Sequence, residues 1–144
     1  MALTVPLVDL HRVVTTCVIY RDRTYLIKKR AAEEPFPERW EVAGGGLERA
    51  DYIDLPSPNP DGWENVLDIV VRKEVLQETG LVVGELRYLG NSVFIRKHDN
   101  IPVIVLRFAA PYVSGEVVLD GEATEYAWPR ADAIRSFGLI GSIS

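Results

Sequence analysis

The sequence predicts an α/β domain in which a mixed sheet is flanked by about two helices. Runs of β-branched and aromatic residues, typical of strands, lie before residue 43 and after residue 85. Between them, residues 66–79 place apolar side chains at helical spacing and are followed by a glycine. The 144 residues suffice for one core, and neither a repeat nor a linker divides them. We therefore expect a single domain over residues 1–144.

Strands are predicted wherever β-branched and aromatic residues cluster between turn-forming residues. Seven segments meet this description: 13–20, 24–29, 40–42, 86–89, 93–96, 103–109 and 125–128. The first two are expected to form a hairpin, because Arg21-Asp22-Arg23 joins them. Gly44-Gly45-Gly46 is expected to interrupt regular structure. The segment Asp51–Gly62 carries three prolines, so we expect a loop inserted before the first helix.

Two helices are predicted, one before and one after the later strands. The first should begin near Trp63, where either Asp61 or Asn65 could cap it. It should end at Gly80, because glycine readily adopts the left-handed conformation that closes a helix. The second helix is predicted over Arg130–Phe137, directly after a proline, since proline suits the first helical turn.

Charge and cysteine content exclude several function classes. The chain has 16 Lys+Arg against 21 Asp+Glu and a net charge of -5, so long nucleic acid is a poor partner. Cys17 is the only cysteine, which excludes an internal disulfide and a thiolate zinc cluster, and we expect its thiol to be buried. Neither a signal peptide within residues 1–10 nor a membrane-spanning apolar run is found. We therefore expect a cytoplasmic protein.

The first predicted helix carries carboxylates where its buried face should continue. At about 100° per residue, Glu74 and Glu78 fall on the arc of the valines that form the buried stripe, and Gln77 lies beside them. Carboxylates four residues apart repel each other, and the C-terminal end of a helix disfavours negative charge. A divalent cation would compensate both costs, because hard cations prefer carboxylate and carbonyl oxygens. The alternative at this point is a solvated glutamate pair at a frayed helix end.

Two motifs favour the metal site. Residues 72–81, Arg-Lys-Glu-Val-Leu-Gln-Glu-Thr-Gly-Leu, resemble the core of the Nudix box, R-E-U-x-E-E-x-G-U with U apolar. Residues 40–48, Trp-Glu-Val-Ala-Gly-Gly-Gly-Leu-Glu, resemble the strand and glycine turn that open the same box. The resemblance implies the Nudix-type α/β/α sandwich. It also implies a metal-dependent pyrophosphohydrolase, in which water attacks phosphorus in a nucleoside diphosphate linked to another moiety.

The resemblance assigns roles to single residues of this sequence. The positions that match metal ligands are Gly45, through its carbonyl, Glu74, Gln77 and Glu78. The implied metal is Mg²⁺ or Mn²⁺. The implied catalytic carboxylates are Glu74, Glu78 and a glutamate from a later loop. Glu122 is the first candidate for that loop glutamate, and Glu125 is the alternative. Arg30 matches a basic substrate contact, and its planar guanidinium suits phosphate.

Departures from the family pattern leave alternatives open. Lys73 replaces the arginine of the box, and Gln77 replaces the first glutamate of its Glu-Glu pair. The inserted loop leaves three residues competing for the acidic position before the helix: Asp51, Glu64 and Asn65. These departures make a catalytically weakened nucleotide-binding or regulatory module the alternative function. The expected partner is a small nucleotide and not a membrane, and a homodimer remains an option.

The organic part of the substrate is the least constrained by the sequence. Four aromatic side chains are candidates to stack on a base: Phe36, Trp40, Phe94 and His98. Packing within the core or a loop is the competing role for each of them. Nucleoside triphosphates, dinucleoside polyphosphates and nucleotide sugars are all compatible with the motif.

Overall fold

One α-helix and nine strands in two sheets make up the part of the chain that this computed structural model describes, residues 6, 8 and 10–137. The helix, α1, spans Val66–Thr79, and two short 3₁₀ helices cover Arg49–Asp51 and Ile134–Phe137. The strands are β1 (Arg12–Arg21), β2 (Thr24–Tyr25), β3 (Ile27–Arg30), β4 (Trp40–Glu41), β5 (Ala43–Gly46), β6 (Val82–Val83), β7 (Arg87–Ile95), β8 (Pro102–Ser114) and β9 (Ala123–Ala127).

The larger sheet is mixed, as the sequence predicts. Strand β1 runs parallel to β8, from the pair Arg12–Val103 to the pair Tyr20–Pro111. Strands β7 and β6 pair antiparallel with β8, and β5 and β2 pair antiparallel with β1. The smaller sheet is antiparallel, in the order β4-β3-β9. The fold class predicted from the sequence is therefore confirmed.

Helix α1 packs on the larger sheet through the predicted apolar stripe. Val71 and Val75 belong to the same buried cluster as Cys17 and Ile19 of β1, so the lone cysteine is buried as predicted. Burying an apolar side chain of this size contributes roughly 1.5–3 kcal/mol relative to full exposure. Hydrophobic burial therefore fixes the helix on the sheet, and the direction of its carboxylates follows from that packing.

The smaller sheet arises because the chain leaves the larger sheet and returns to it. The predicted hairpin turn is confirmed, since Tyr25 pairs with Tyr20. The chain then crosses to the smaller sheet as β3, and it crosses back between β4 and β5. As a result Lys28 lies opposite Glu41 in the antiparallel pair of β3 and β4.

The three consecutive glycines form strand β5, so the predicted interruption of regular structure is wrong. Gly44, Gly45 and Gly46 pair with residues 14–16 of β1. A Cβ atom on Gly44 would lie 2.3 Å from the carbonyl oxygen of Thr15, well inside van der Waals contact. Glycine is needed here because two backbones approach closely, not because the chain turns.

The ends of α1 lie close to where the sequence places them. Gly80 has a φ of 76°, and its N–H donates to the carbonyl of Leu76 at 2.9 Å, so the predicted left-handed end is confirmed. At the other end Asn65 is itself left-handed and forms no side-chain cap, so the predicted cap is wrong. Arg72 anchors the helix by donating to the carbonyl oxygens of Val83 at 2.8 Å and Gly84 at 3.0 Å.

Two other predictions about elements are wrong. Residues 131–137 form turns and a short 3₁₀ helix instead of a second α-helix, because Arg130 is engaged in a β-bridge with Thr24. The strands predicted at 86–89 and 93–96 are one strand, β7, in which a register shift between Tyr88 and Gly90 absorbs the irregularity. After Asp51, which ends the first 3₁₀ helix, the segment through Gly62 is a loop, as predicted. No helix within the described residues is long and apolar enough to cross a membrane.

Candidate active site

The C-terminal end of α1 places Glu78 against the glycine strand β5. Glu78 is buried, with 5% of its surface exposed. Its Oε2 accepts the N–H of Gly44 at 3.1 Å, and its Oε1 lies 3.0 Å from Nζ of Lys28. Both carboxylate oxygens are thus engaged, and the sheet determines the orientation of the group.

Glu74 lies one turn earlier on the same helix face and packs against Gly45. A Cβ atom on Gly45 would stand 2.9 Å from both Cδ and Oε2 of Glu74. The missing side chain of Gly45 therefore leaves the space that the carboxylate needs. The structure brings Glu74, Glu78 and Gly45 together at one site.

The ionised forms of both glutamates are disfavoured at this site. Burial is the main cause for Glu78, and it raises the pKa to about 7 from an ordinary value of 4.5, against the lowering effect of Lys28 and the Gly44 N–H. Burial also raises the pKa of Glu74, and repulsion from Asp51 and Glu122 adds to the effect. Such shifts are typical of functional sites, where groups are held in environments that solvent would not give them.

Lys28 extends the acidic pair, Glu74 and Glu78, into a network of charges that was not predicted from the sequence. Its side chain is 2% exposed, and its Nζ lies 2.9 Å from Glu41 as well as 3.0 Å from Glu78. Arg30 reaches the same Glu41, with Nη1 donating to both carboxylate oxygens at 3.0 Å. Burial lowers the pKa of Lys28, but attraction to Glu78 and Glu41 outweighs it, and the pKa is raised. The ammonium is therefore charged.

Lys28 and its neighbour Lys29 have the same side chain but different surroundings, which the pairing of the strands explains. The side chain of Lys29 is 27% exposed and pairs with Glu125 at 3.2 Å. Successive side chains of a strand point to opposite faces, so Lys28 and Arg30 share a face. Glu41 stands opposite Lys28 in the neighbouring strand. Treating Trp40-Glu41 as the partner strand of β3 would have identified this ion pair from the sequence.

An apolar cavity of about 690 Å³ opens beside the network. Glu41 lines it, together with three of the four aromatic candidates for base stacking: Phe36, Phe94 and His98. The fourth candidate, Trp40, packs edge-to-face on Phe137 with ring centroids 5.1 Å apart. Trp40 thus takes the competing packing role, and the other three surround a space of the size of small-molecule sites.

Comparison with known sequences identifies the family. The sequence model of the NUDIX domain matches residues 10–140 of this chain. The chain belongs to the Nudix hydrolase family. Among curated Nudix relatives, the nucleoside triphosphatase NudI of Escherichia coli strain K12 is 25% identical over 138 residues, covering 89% of this chain and 88% of NudI. NudI of Klebsiella pneumoniae strain 342 is 23% identical over the same shares of both chains.

Solved Nudix structures share the fold. The NUDIX hydrolase from Nitrosomonas europaea has a TM-score of 0.68 at 21% identity, covering 89% of this chain and 78% of that one. The MutT protein from Methanosarcina mazei Go1 has a TM-score of 0.65 at 24% identity, with 96% and 88% covered. The NUDIX domain of Shewanella oneidensis NrtR, solved with ADP ribose, has a TM-score of 0.67 at 13% identity, with 91% and 80% covered. The Nudix-type fold is confirmed.

Asp51, Glu64 and Asn65 are the candidates for the acidic position before the helix. Asp51 is the one that contacts α1. Its Oδ1 lies 2.8 Å from Nζ of Lys73. The hydrogen bond from Lys73 is the main reason why the pKa of Asp51 is lowered. Glu64 and Asn65 are exposed before the helix. Lys73, at the arginine position of the Nudix box, thus has its partner on the inserted loop.

The other predicted site residues lie at the margin of the acidic pair. Gln77 is exposed on α1. Glu122 is also exposed, but its charge acts on Glu74, whereas Glu125 is paired with Lys29 on the surface. The structure therefore brings Glu122 rather than Glu125 towards Glu74. Arg30 lies between Glu41 at 3.0 Å and Glu34 at 3.5 Å.

The donors at the acidic pair fit a metal that is bound together with a phosphate ligand. Across residues 6, 8 and 10–137, no three His, Cys, Asp or Glu side chains are arranged to hold a metal ion by themselves. Two carboxylates do come together against β5, since Glu74 packs on Gly45 and Glu78 accepts the N–H of Gly44. Magnesium is usually held by one or two carboxylates, with water and substrate phosphates completing its shell. An open Nudix site of this kind matches that donor set.

Proposed function

We propose that this Nudix hydrolase is a metal-dependent pyrophosphohydrolase that cleaves a nucleoside diphosphate linked to another moiety. The observation that carries the proposal is the meeting of Glu74 and Glu78 with the glycines of β5. The names of related proteins support it. The NudI relatives are named nucleoside triphosphatases, and the NrtR domain was solved with ADP ribose.

Glu74, Glu78 and the carbonyl of Gly45 are the groups that would hold Mg²⁺ or Mn²⁺. Bound there, the metal would polarise the phosphorus and lower the pKa of the attacking water. A carboxylate has to lose its proton to bind a cation. The pKa of Glu78, about 7, makes that loss accessible near neutral pH.

A third carboxylate, Glu122, is the proposed acceptor for the proton of the attacking water. It acts on Glu74 from a loop outside the helix, which leaves Glu74 and Glu78 free to serve as ligands. Carboxylates this close titrate as one system. The apparent pKa values of the reaction would therefore belong to the group and not to a single glutamate.

The nucleoside would occupy the apolar cavity. Phe36 and Phe94 offer aromatic surface for stacking on a base. Glu41, in the cavity wall, pairs with Lys28 at 2.9 Å, and Lys28 pairs with Glu78 at 3.0 Å. A nucleoside in the cavity would therefore place its phosphates near the acidic pair. Arg30 would bind phosphate through Nη2 by exchanging its 3.5 Å pair with Glu34, while Nη1 stays on Glu41.

Product analysis over a nucleotide panel tests the proposed function. The panel comprises nucleoside triphosphates, ADP-ribose, dinucleoside polyphosphates and nucleotide sugars, each with Mg²⁺, Mn²⁺ or EDTA. We expect a nucleoside monophosphate as product from at least one class, and only with metal present. Nucleotide binding without turnover under every condition would support the catalytically weakened binding module instead.

A further inference from the structure

Lys28 is a buried ammonium group held between glutamates of two different elements. Its Nζ lies 3.0 Å from Oε1 of Glu78 on α1 and 2.9 Å from Oε1 of Glu41 on β4. The side chains of the three residues are 2%, 7% and 20% exposed, in the order Lys28, Glu78, Glu41. An ammonium this inaccessible does not meet a substrate arriving from solvent. Its effect on any reaction therefore passes through its two partners.

The first partner, Glu78, depends on Lys28 for one of its two fixed oxygens. Oε2 accepts the N–H of Gly44, and Oε1 faces Lys28. Without the ammonium, the carboxylate would be held at one oxygen only and could rotate about its last side-chain bond. Groups behind a metal ligand matter because they fix the ligand's orientation, and losing one typically costs about tenfold to hundredfold in metal affinity or activity.

The second partner, Glu41, connects Lys28 to the substrate cavity. Glu41 lines the cavity and accepts hydrogen bonds from both Lys28 and Arg30. Both cations come from the same face of β3. A single ammonium on β3 thus joins the end of α1 to the part of the cavity wall that lies on β4.

We propose that Lys28 is a positioning residue that holds Glu78 in the orientation needed for metal binding and ties it to Glu41 at the cavity wall. The proposal rests on the metal-dependent hydrolysis proposed above. Metal affinity and turnover should therefore depend on Lys28. The KM for the nucleotide at saturating metal should not, because the lysine is not part of the cavity lining.

Titration calorimetry of the full chain with Mn²⁺ alone tests the proposal. In Lys28→Met, which removes the ammonium and keeps most of the volume, we expect Mn²⁺ affinity to fall about tenfold to hundredfold. Lys29→Met is the matched control, since Lys29 is the next residue on the strand and pairs with the exposed Glu125. It should bind Mn²⁺ like the wild type. Wild-type affinity in Lys28→Met, or an equal loss in Lys29→Met, overturns the proposal.

Lys28→Gln covers the case in which Lys28→Met does not fold, because an amide still offers Glu78 a donor. Turnover against Mg²⁺ concentration should then show a lowered kcat that high Mg²⁺ partly restores, with KM for the nucleotide unchanged. A lysine with a structural role only would lower the melting temperature without moving the metal dependence. If neither variant folds, Lys28 is a folding residue and the proposal fails. A wild type that binds no Mn²⁺, alone or with ADP-ribose, refutes the proposed function itself.

Discussion

Two opposing electrostatic effects determine the pKa of the Glu78 carboxyl group. Burial disfavours the charge, and Lys28 and the Gly44 N–H favour it, with a net rise of the pKa to about 7. The attraction between buried ions is largely offset by the loss of their hydration, so such pairs add little to stability. We infer that the pair of Glu78 with Lys28 is present for the geometry of the site, not for the stability of the fold.

The raised pKa of Glu78 predicts that the metal-free protein loses stability between about pH 5 and about pH 8. A carboxyl group whose pKa is higher in the folded than in the unfolded state stabilises the fold while it is protonated. Its contribution is full below 4.5, the ordinary value, and is lost as the pH rises through 7. The melting temperature measured in EDTA should therefore fall over this range, and fall less in Glu78→Gln. A wild-type melting temperature that rises with pH over this range would contradict the assignment.

Gln77→Glu should lower the metal concentration needed for activity. A carboxylate binds a hard cation more strongly than an amide oxygen does. The third carboxylate also repels Glu74 and Glu78, so the variant should be less stable without metal and gain more from its addition. Melting temperature and turnover measured against Mg²⁺ for both proteins decide the matter. Identical metal dependence would place residue 77, which is exposed on α1, outside the coordination sphere.

Periodicity could identify Glu74 and Glu78 because it reports which face of a helix a residue occupies. It could not identify Lys28, or select Asp51 for the acidic position before the helix, because both residues form their ion pairs with residues far away in the sequence. Lys28 pairs with a residue 13 positions away, and Asp51 with one 22 positions away. Strand pairing and the course of the inserted loop create these contacts, and neither is written in a local pattern.

At the scale of elements, strand β5 shows how pairing overrides local propensity. Three glycines are poor strand formers, yet they pair residue by residue with β1. Gly44 leaves no room for a Cβ against that strand, and Gly45 leaves none against Glu74. Among the described strands, β5 pairs with β1 alone. The Gly44 N–H, which donates to Glu78, therefore points away from β1 on a side where no described strand competes for it.

The part of the inserted loop that follows Tyr52 should be dispensable for folding. The rings of Tyr52 and Trp63 are 5.0 Å apart, so a short Gly-Ser linker could replace residues 53–62 while keeping the Asp51 pair. The replacement loses the hydrogen bond from Trp63 Nε1 to the carbonyl of Leu55, a loss of about 1 kcal/mol. We expect the melting temperature to fall by about 2–8 °C. Any change in substrate preference would appear in the nucleotide panel.

Asp51→Asn in the intact chain is the control for that experiment. It weakens the pair with Lys73 and leaves the loop in place, so it separates the effect of the ion pair from that of the loop. Loss of a cooperative unfolding transition in the shortened chain would show that residues 53–62 belong to the folded core. The reading of this segment as an inserted loop would then be wrong.

At the scale of the whole molecule, the sequence predicted the mixed sheet but not its division in two. Hydrophobic runs mark strands wherever they lie, so the fold class followed from composition and periodicity. The chain crosses between the sheets at two single buried residues, Leu26 and Val42. A crossing made by one apolar residue cannot be told from a continuous strand in a sequence, because that residue fits the strand pattern on both sides. Yet these crossings set β3 against β4, and with them the network of Lys28, Glu41 and Arg30.

Glu74 and Glu78 are proposed to serve metal-dependent attack of water at phosphorus. Hydrolysis of a nucleotide substrate in ¹⁸O-labelled water, with Mg²⁺ and with EDTA, tests it directly when wild type and Glu78→Gln are compared. We expect label in a phosphate product of the wild type only with Mg²⁺. The rate in Glu78→Gln should be lower by about 10²-fold or more with the fold retained, because the charge stabilisation that a metal supplies is worth several kcal/mol. Label incorporated in EDTA, or a folded Glu78→Gln variant with the wild-type rate, would contradict the account.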